Sequence, residues 1–361
     1  MNERGGHYYE WINTLRVFTL LLVIIGHCNY YIIKTPHGGI DYFPHGTSCC
    51  FIYNILRWGV WFIYLFHMPL FMAISGMCFS FSKQKNSSII KFSKSKAKRL
   101  LLPFLTVTTF LSIPLKYISG YWGGSENLIK DIIIGQYFLI NANSHLWFIV
   151  SLFNIFFIFH LINRRFKINT LFMWVCLFIL NLYISPYISS KIGAGFGLSC
   201  AATYLLFFTF GYASFKWFNK NNTKLSCGII SWILMASFFF IYRRYGYVQS
   251  HLLNKLISIA FSFWGIFNMI IICKYLSKTK ITETKTYKIF SKYNYELYLY
   301  SDPFNYVIIA LLFNLLGNNI FYNNICSTTA FGIRFALTIS IPLLIIFLQK
   351  LFHKTLKDLS K

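Results

Sequence analysis

The chain has 361 residues, of which 56% are hydrophobic, 20% aromatic and only 12% charged, with a mean hydropathy of +0.54. So much apolar side chain has no place on a water-soluble surface, and the same abundance of Phe, Tyr, Ile and Leu excludes a disordered chain. A net charge of +25 would suit nucleic acid, but the 34 Lys and Arg sit in short stretches between long apolar runs, so no nucleic-acid partner is expected.

Segments long enough to cross about 30 Å of hydrocarbon occur at 12–32, 51–81, 100–118, 146–162, 170–185, 199–215, 226–242, 256–273, 295–316 and 331–350. The pattern predicts an all-α, polytopic membrane bundle of about ten transmembrane helices. It is expected to form a single domain over 1–361, since no Pro-rich or Gly/Ser-rich linker and no repeat divides it. The leading MNERGGHYYEW lacks a small-residue cleavage site, so the first segment reads as a retained helix.

That first segment holds Arg16 and His27. Eleven residues at 100° bring both onto one helix face, about 16 Å apart along the axis. Ionisable residues inside a span are expensive and mark functional candidates. Two readings fit His27: a general base, since imidazole titrates near neutral pH and takes a proton from a hydroxyl, or a neutral histidine packing between helices. Arg16 serves a site or snorkels to the inner headgroups.

The second segment is too long for one straight crossing, and Pro69 with the Ser75-Gly76 pair predicts a kink or local unwinding there. His67, just ahead of Pro69, either lines a cavity or satisfies backbone groups at the kink. The basic stretch before the third segment ends in Lys98-Arg99, which suits phosphates or anionic lipid heads. His145 and Trp147, in NSHLWF, open the fourth segment, where Trp commonly serves as an interfacial anchor. Arg57, Glu296 and Asp302 are the other intramembrane charges; Glu296 falls near the inner boundary and Asp302 near the midplane, and an Arg57–Asp302 ion pair would neutralise two of them. The longest loops, 33–50 and 119–145, suit either a substrate entrance or plain connectors.

With the N-terminus inside, 24 Lys and Arg fall on the inner side and eight on the outer, the latter including Lys116 and Arg334. This excess predicts that both termini are cytoplasmic. The nine Cys show no CxxC pair and no metal spacing. Cys49, Cys50 and Cys326 share the predicted outer side, where a disulfide would depend on geometry. A phosphate-binding glycine loop, GxSxG, HExxH and a paired-carboxylate signature are absent from the sequence, so neither a metal nor a permanently bound cofactor is expected.

Taken together, LRVFTLLLVIIGH, FHMPLFMAISG, KRLLLPF and HLWFIVSLF, in this order along the first four segments, resemble the acyltransferase-3 family of bacterial membrane O-acyltransferases. The most specific element is an Arg followed, after ten intervening residues, by a His in the first helix, here Arg16 and His27. The resemblance implies a multi-pass protein of the bacterial cytoplasmic membrane. It would transfer an acyl group, usually acetyl from cytoplasmic acetyl-CoA, onto a hydroxyl of a lipid-linked or surface glycan. It also implies that His27 is the catalytic histidine, that Arg16 stabilises the site or the donor, and that Lys98-Arg99 bind the CoA phosphates. Two departures stand out. Asn13 occupies a neighbourhood that is commonly acidic in the family, leaving that role to Glu10 or to nothing, and YLYSDPF puts Ser301 and Asp302 where a histidine is frequent. Direct attack by a deprotonated hydroxyl and relay through an acyl-histidine are both compatible with these residues. A transporter or flippase for a glycolipid or polysaccharide precursor is the rival reading of the same buried charges.

Overall fold

The computed structural model describes residues 9–46, 48–82, 88–140, 143–165, 171–221, 223–246 and 250–359. Ten helical spans long and apolar enough to cross a membrane run over Glu10–His27, Phe51–Ser80, Ile89–Ile118, Trp147–Arg165, Leu171–Ile192, Gly195–Lys220, Leu225–Tyr245, His251–Leu276, Asn294–Leu316 and Asn324–Phe352. The basic residues Arg4, Lys83, Lys85, Lys167 and Lys361 of the charge count lie outside the described residues. The first, second, fourth, sixth, eighth and ninth spans are 50% to 61% buried, whereas the third, fifth, seventh and tenth are 28% buried or less. The inner six therefore form the packed centre and the outer four leave most of their apolar surface exposed, as lipid-facing helices must.

Several boundaries differ from those predicted. The first helix stops at His27 rather than reaching residue 32. Beyond it an antiparallel hairpin, β1 (Ile32–Thr35) and β2 (Gly38–Asp41), pairs Ile32 with Asp41 and Thr35 with Gly38, a strand element the helical pattern had not revealed. The third helix starts at Ile89, where the Ser88 hydroxyl accepts the Lys91 N–H; a basic stretch is a good helix former even where it is too polar to be read as a span. The tenth starts at Asn324 rather than residue 331, so Arg334, counted on the outer side, lies about three turns into the helix instead of at its first turn. Lys116, also expected outside, is buried in the third.

The second span breaks one turn before Pro69: one helix ends at Tyr64 and the next begins at His67. Proline lacks the N–H that would bond the carbonyl four residues back and its ring crowds that carbonyl. The freed Leu65 oxygen accepts instead from the Ser262 hydroxyl of the eighth span, at 2.7 Å. Ser75-Gly76 produces no unwinding. A Cβ on Gly76 would stand 1.9 Å from the Phe208 carbonyl oxygen, and one on Gly211 would stand 1.9 Å from that of Ala73. The pair of glycines thus lets the second and sixth spans approach backbone to backbone.

The larger apolar core gathers Leu15, Ile24, Met72, Phe208 and Ile270. A smaller one at the hairpin end joins Tyr31, Tyr121, Tyr306 and Phe321. The two long loops meet there, where Gly39 N–H donates to the Tyr121 carbonyl and Trp122 Nε1 to the His37 carbonyl. At the opposite end, the short helix Lys285–Lys292 docks on the first span. Asn13 Nδ2 donates to Ser291 Oγ at 2.6 Å and the Tyr287 hydroxyl donates to Glu10 at 2.7 Å. Asn13 and Glu10, the two positions at which an acid was sought, are therefore a docking surface for this helix. Cys49, Cys50 and Cys326 are free thiols.

Candidate active site

Asp302 is the centre of the polar network. Its carboxylate is fully buried, and its partners come from three elements: His27 Nδ1 reaches Oδ1 at 3.0 Å, the Tyr30 hydroxyl donates to Oδ1 at 2.7 Å, and His145 Nδ1 stands 3.3 Å from Oδ2. A buried carboxylate is tolerable only with such compensation. The expected Arg57–Asp302 pair does not form; Arg57 lies over Phe43 and Trp61 at 5.2 and 4.5 Å.

A second proline helps to build the site. Pro303 sits inside the ninth helix, so the carbonyl of Leu299 loses its helical donor. His145 Nε2 faces that carbonyl at 3.2 Å, and the Tyr298 hydroxyl donates to the carbonyl of His145. The loop residue His145 is thereby clamped to the ninth span at the turn that presents Asp302. A neutral imidazole can donate from only one nitrogen, so the Leu299 carbonyl and the Asp302 carboxylate compete for the proton of His145.

His27 is the last residue of the first helix, where carbonyls lack intrahelical partners and the helix dipole is negative. Arg334, fully buried on the tenth span, supplies what is missing: Nη2 donates to the His27 carbonyl at 2.8 Å, Nη1 to the Tyr30 carbonyl at 3.0 Å, and Nε lies 3.4 Å from Asn305 Oδ1. The turn that presents His27 and Tyr30 to Asp302 is thus held by one guanidinium.

The network borders a cavity of about 710 Å³, within the range of small-molecule sites. His27 retains 12% side-chain exposure toward it while Asp302 has none. With Nδ1–H given to the carboxylate, Nε2 keeps its lone pair for whatever occupies the cavity. The walls are aromatic, among them Tyr64, Trp61, Trp147 and Tyr204, and β1 closes one side through Ile33 and Lys34. Trp147 is one of these walls, stacked on Tyr204 at 5.5 Å. His67 combines both of its readings: it lines the cavity, and its Nδ1 bonds the Ile63 carbonyl at 3.0 Å.

Nearer the end that carries the termini, Cys78 lies within electrostatic reach of Arg16, Arg99 and Lys96. Lys98 and Arg99 are exposed and Lys96 is half-buried. Adjacent residues diverge by 100° around a helix, whereas positions three apart share a face; Lys96 and Arg99 share one face, with Lys96 Nζ 3.9 Å from the centre of the Phe156 ring. A third proline acts here: Pro103 frees the Arg99 carbonyl, and the Tyr295 hydroxyl donates to it at 2.9 Å. Glu296 makes no ion pair among the described residues and stands apart from the Asp302 network.

Arg334, Tyr30, Lys96 and Lys116 were not singled out from the sequence. Arg334 carried a signal, as a lone cation a few residues into the last apolar run. Lys116 carried the same signal at the end of the third; buried, it donates to Gln136 at 2.9 Å and lies over Tyr306 at 4.9 Å. Tyr30 carried none, since one tyrosine among 25 has no distinguishing spacing.

A family model described as an acyltransferase domain, Acyl_transf_3, matches residues 9–348. No curated protein and no solved structure matches the chain.

Proposed function

Because the chain belongs to the acyltransferase family that its sequence matches over 9–348 and is a multi-pass membrane acyltransferase, we propose that it transfers an acetyl group. The donor is cytoplasmic acetyl-CoA, and the acceptor is a hydroxyl of a cell-surface or lipid-linked glycan. The observation that carries this reading is the His27–Asp302 contact at 3.0 Å beside an aromatic-walled cavity. The carboxylate fixes the ring and its tautomer, as the acid of a hydrolytic triad does. Nε2 takes the proton of the acceptor hydroxyl as its oxygen attacks the thioester carbonyl. The C–O bond forms, the C–S bond breaks, and the proton passes to the departing thiolate. General-base assistance of this kind is worth roughly 10²–10⁴ in rate.

The donor enters from the end that carries the termini; the excess of basic residues there supports a cytoplasmic side, and the membrane of this proposal is the bacterial inner membrane. Arg16, Lys96 and Arg99 receive its phosphates, and Lys98 adds charge at the bilayer surface. Arg16 and His27 are eleven residues apart, about 16 Å of helix, and that is the distance the donor's arm bridges to bring its thioester to the imidazole. The acceptor enters from the hairpin end, between β1 and Trp147. Family membership removes the motive for a transporter reading, since the buried charges are accounted for by chemistry.

The test is transfer of radiolabelled acetyl from acetyl-CoA to a glycolipid extract by the protein in proteoliposomes. Wild-type protein labels the extract; His27→Ala protein of equal thermal stability does not. Transfer by His27→Ala at the wild-type rate would eliminate the mechanism.

A further inference from the structure

The hairpin end carries positive charge that the chemistry above does not use. Arg57, two turns into the second span, and Arg243, near the end of the seventh, both lie over the ring of Trp61, with guanidinium carbons 4.5 and 4.1 Å from its centroid. The two spans are joined beside them by Trp58 stacked on Phe240, 5.1 Å apart and inclined by 12°. An aromatic seam therefore holds two like charges on one indole, an arrangement that costs Coulomb energy unless an anion shares it.

Among the described residues, neither guanidinium has a carboxylate partner or a hydrogen bond to a side chain or carbonyl. Two acids of the hairpin end are already engaged, Asp41 by Lys34 and His45 and Asp131 by His37 and Ser125. Stacking satisfies the face of a guanidinium and leaves its edge of N–H donors unused, and that planar fork matches carboxylate and phosphate oxygens. Arg57 and Trp61 line the cavity, and Arg243, over the same indole, is exposed.

We infer that the acceptor is anionic, and that Arg57 and Arg243 bind its phosphate or carboxylate at the cavity mouth while the hydroxyl reaches His27. The inference rests on the acyl-transfer reading. The pair selects which glycan enters and takes no part in bond making, so its loss raises the acceptor KM and spares kcat.

The experiment uses the full chain in phosphatidylcholine proteoliposomes, radiolabelled acetyl-CoA, and a total glycolipid extract separated on an anion exchanger into neutral and anionic fractions. Label is expected in the anionic fraction. Arg57→Gln and Arg243→Gln are each expected to raise the acceptor KM by about tenfold, one charged hydrogen-bonded contact, with kcat within about twofold. Arg57→Lys, a point charge without the fork, should recover part of the loss. Label in the neutral fraction, or unchanged KM in both glutamine variants, overturns the inference while leaving acyl transfer intact; no label in either fraction with wild-type protein overturns acyl transfer itself. A second arm repeats the assay with phosphatidylglycerol added. Variant effects that occur only with that lipid identify a bilayer headgroup as the anion and also overturn the inference. Because the wild-type fractionation needs no substitution, a variant that fails to fold does not remove the test.

Discussion

The two polar regions of the bundle handle charge in opposite ways. Around Asp302, every charge is met: the carboxylate by His27, Tyr30 and His145, and Arg334 by the carbonyls of His27 and Tyr30. Around Cys78, Arg16, Lys96 and Arg99 gather without a carboxylate partner among the described residues. A saturated network holds its members in one geometry, because each broken contact strands a buried polar group. An unsaturated cluster of cations is poised to take an anion from outside. The contrast separates positions where substitution disturbs geometry and rate from positions where it disturbs affinity.

The largest effect is expected at His27. Replacing it with Ala lowers transfer by about 10²–10⁴, read as kcat in proteoliposomes, and the double variant with Asp302→Asn should be little slower than His27→Ala alone, since residues acting as a unit are not additive. Asp302→Asn by itself is expected to cost on the order of 10²–10⁴ in kcat through the wrong tautomer, with the donor KM unchanged. Next comes Arg334→Met, which strands the carbonyls of His27 and Tyr30 and should destabilise the protein by about 2–6 kcal/mol, about 1–3 for each carbonyl, measured as thermal unfolding in detergent; an unchanged midpoint would show that the turn holds itself. At the other end, Arg16→Gln or Lys96→Gln should raise the donor KM by about tenfold with unfolding unaffected, and added salt should mimic the substitution in the wild type. An equal loss of stability at both ends would erase the distinction between them.

The smallest effect concerns the hairpin. Lys34 and His45 beside Asp41 hold its carboxyl down at about 2, below the ordinary 3.8. A depressed carboxylate contributes stability above its unfolded pKa and loses it as pH falls through the folded value, so the pairing weakens from about pH 4 to about 2. Hydrogen exchange of the hairpin amides should quicken over that window and, in Asp41→Asn, should already be quick at neutral pH with no further pH response.

The same contrast explains what could be read in advance. Apolar length gave the ten spans, and the eleven-residue interval put Arg16 and His27 on one helix face, because both are periodic properties of a local segment. Pro69 announced a break, and it occurs one turn earlier, where the proline ring meets the carbonyl of Leu65. The basic stretch before the third span was legible as a run of charge, but the run did not show that Lys96 seats its ammonium over the Phe156 ring. Partner choice was not legible. Arg57 and Asp302 have opposite charges, but Asp302 binds the two histidines and Arg57 stacks on Trp61. Three proline-freed carbonyls, at Leu65, Arg99 and Leu299, find side chains from Ser262, Tyr295 and His145, distant in sequence. The sequence by itself determined the solvent, the number of spans and the face shared by Arg16 and His27. Only the tertiary structure decided which buried groups meet, because in hydrocarbon each polar group takes whichever partner the packing of other helices brings within bonding distance.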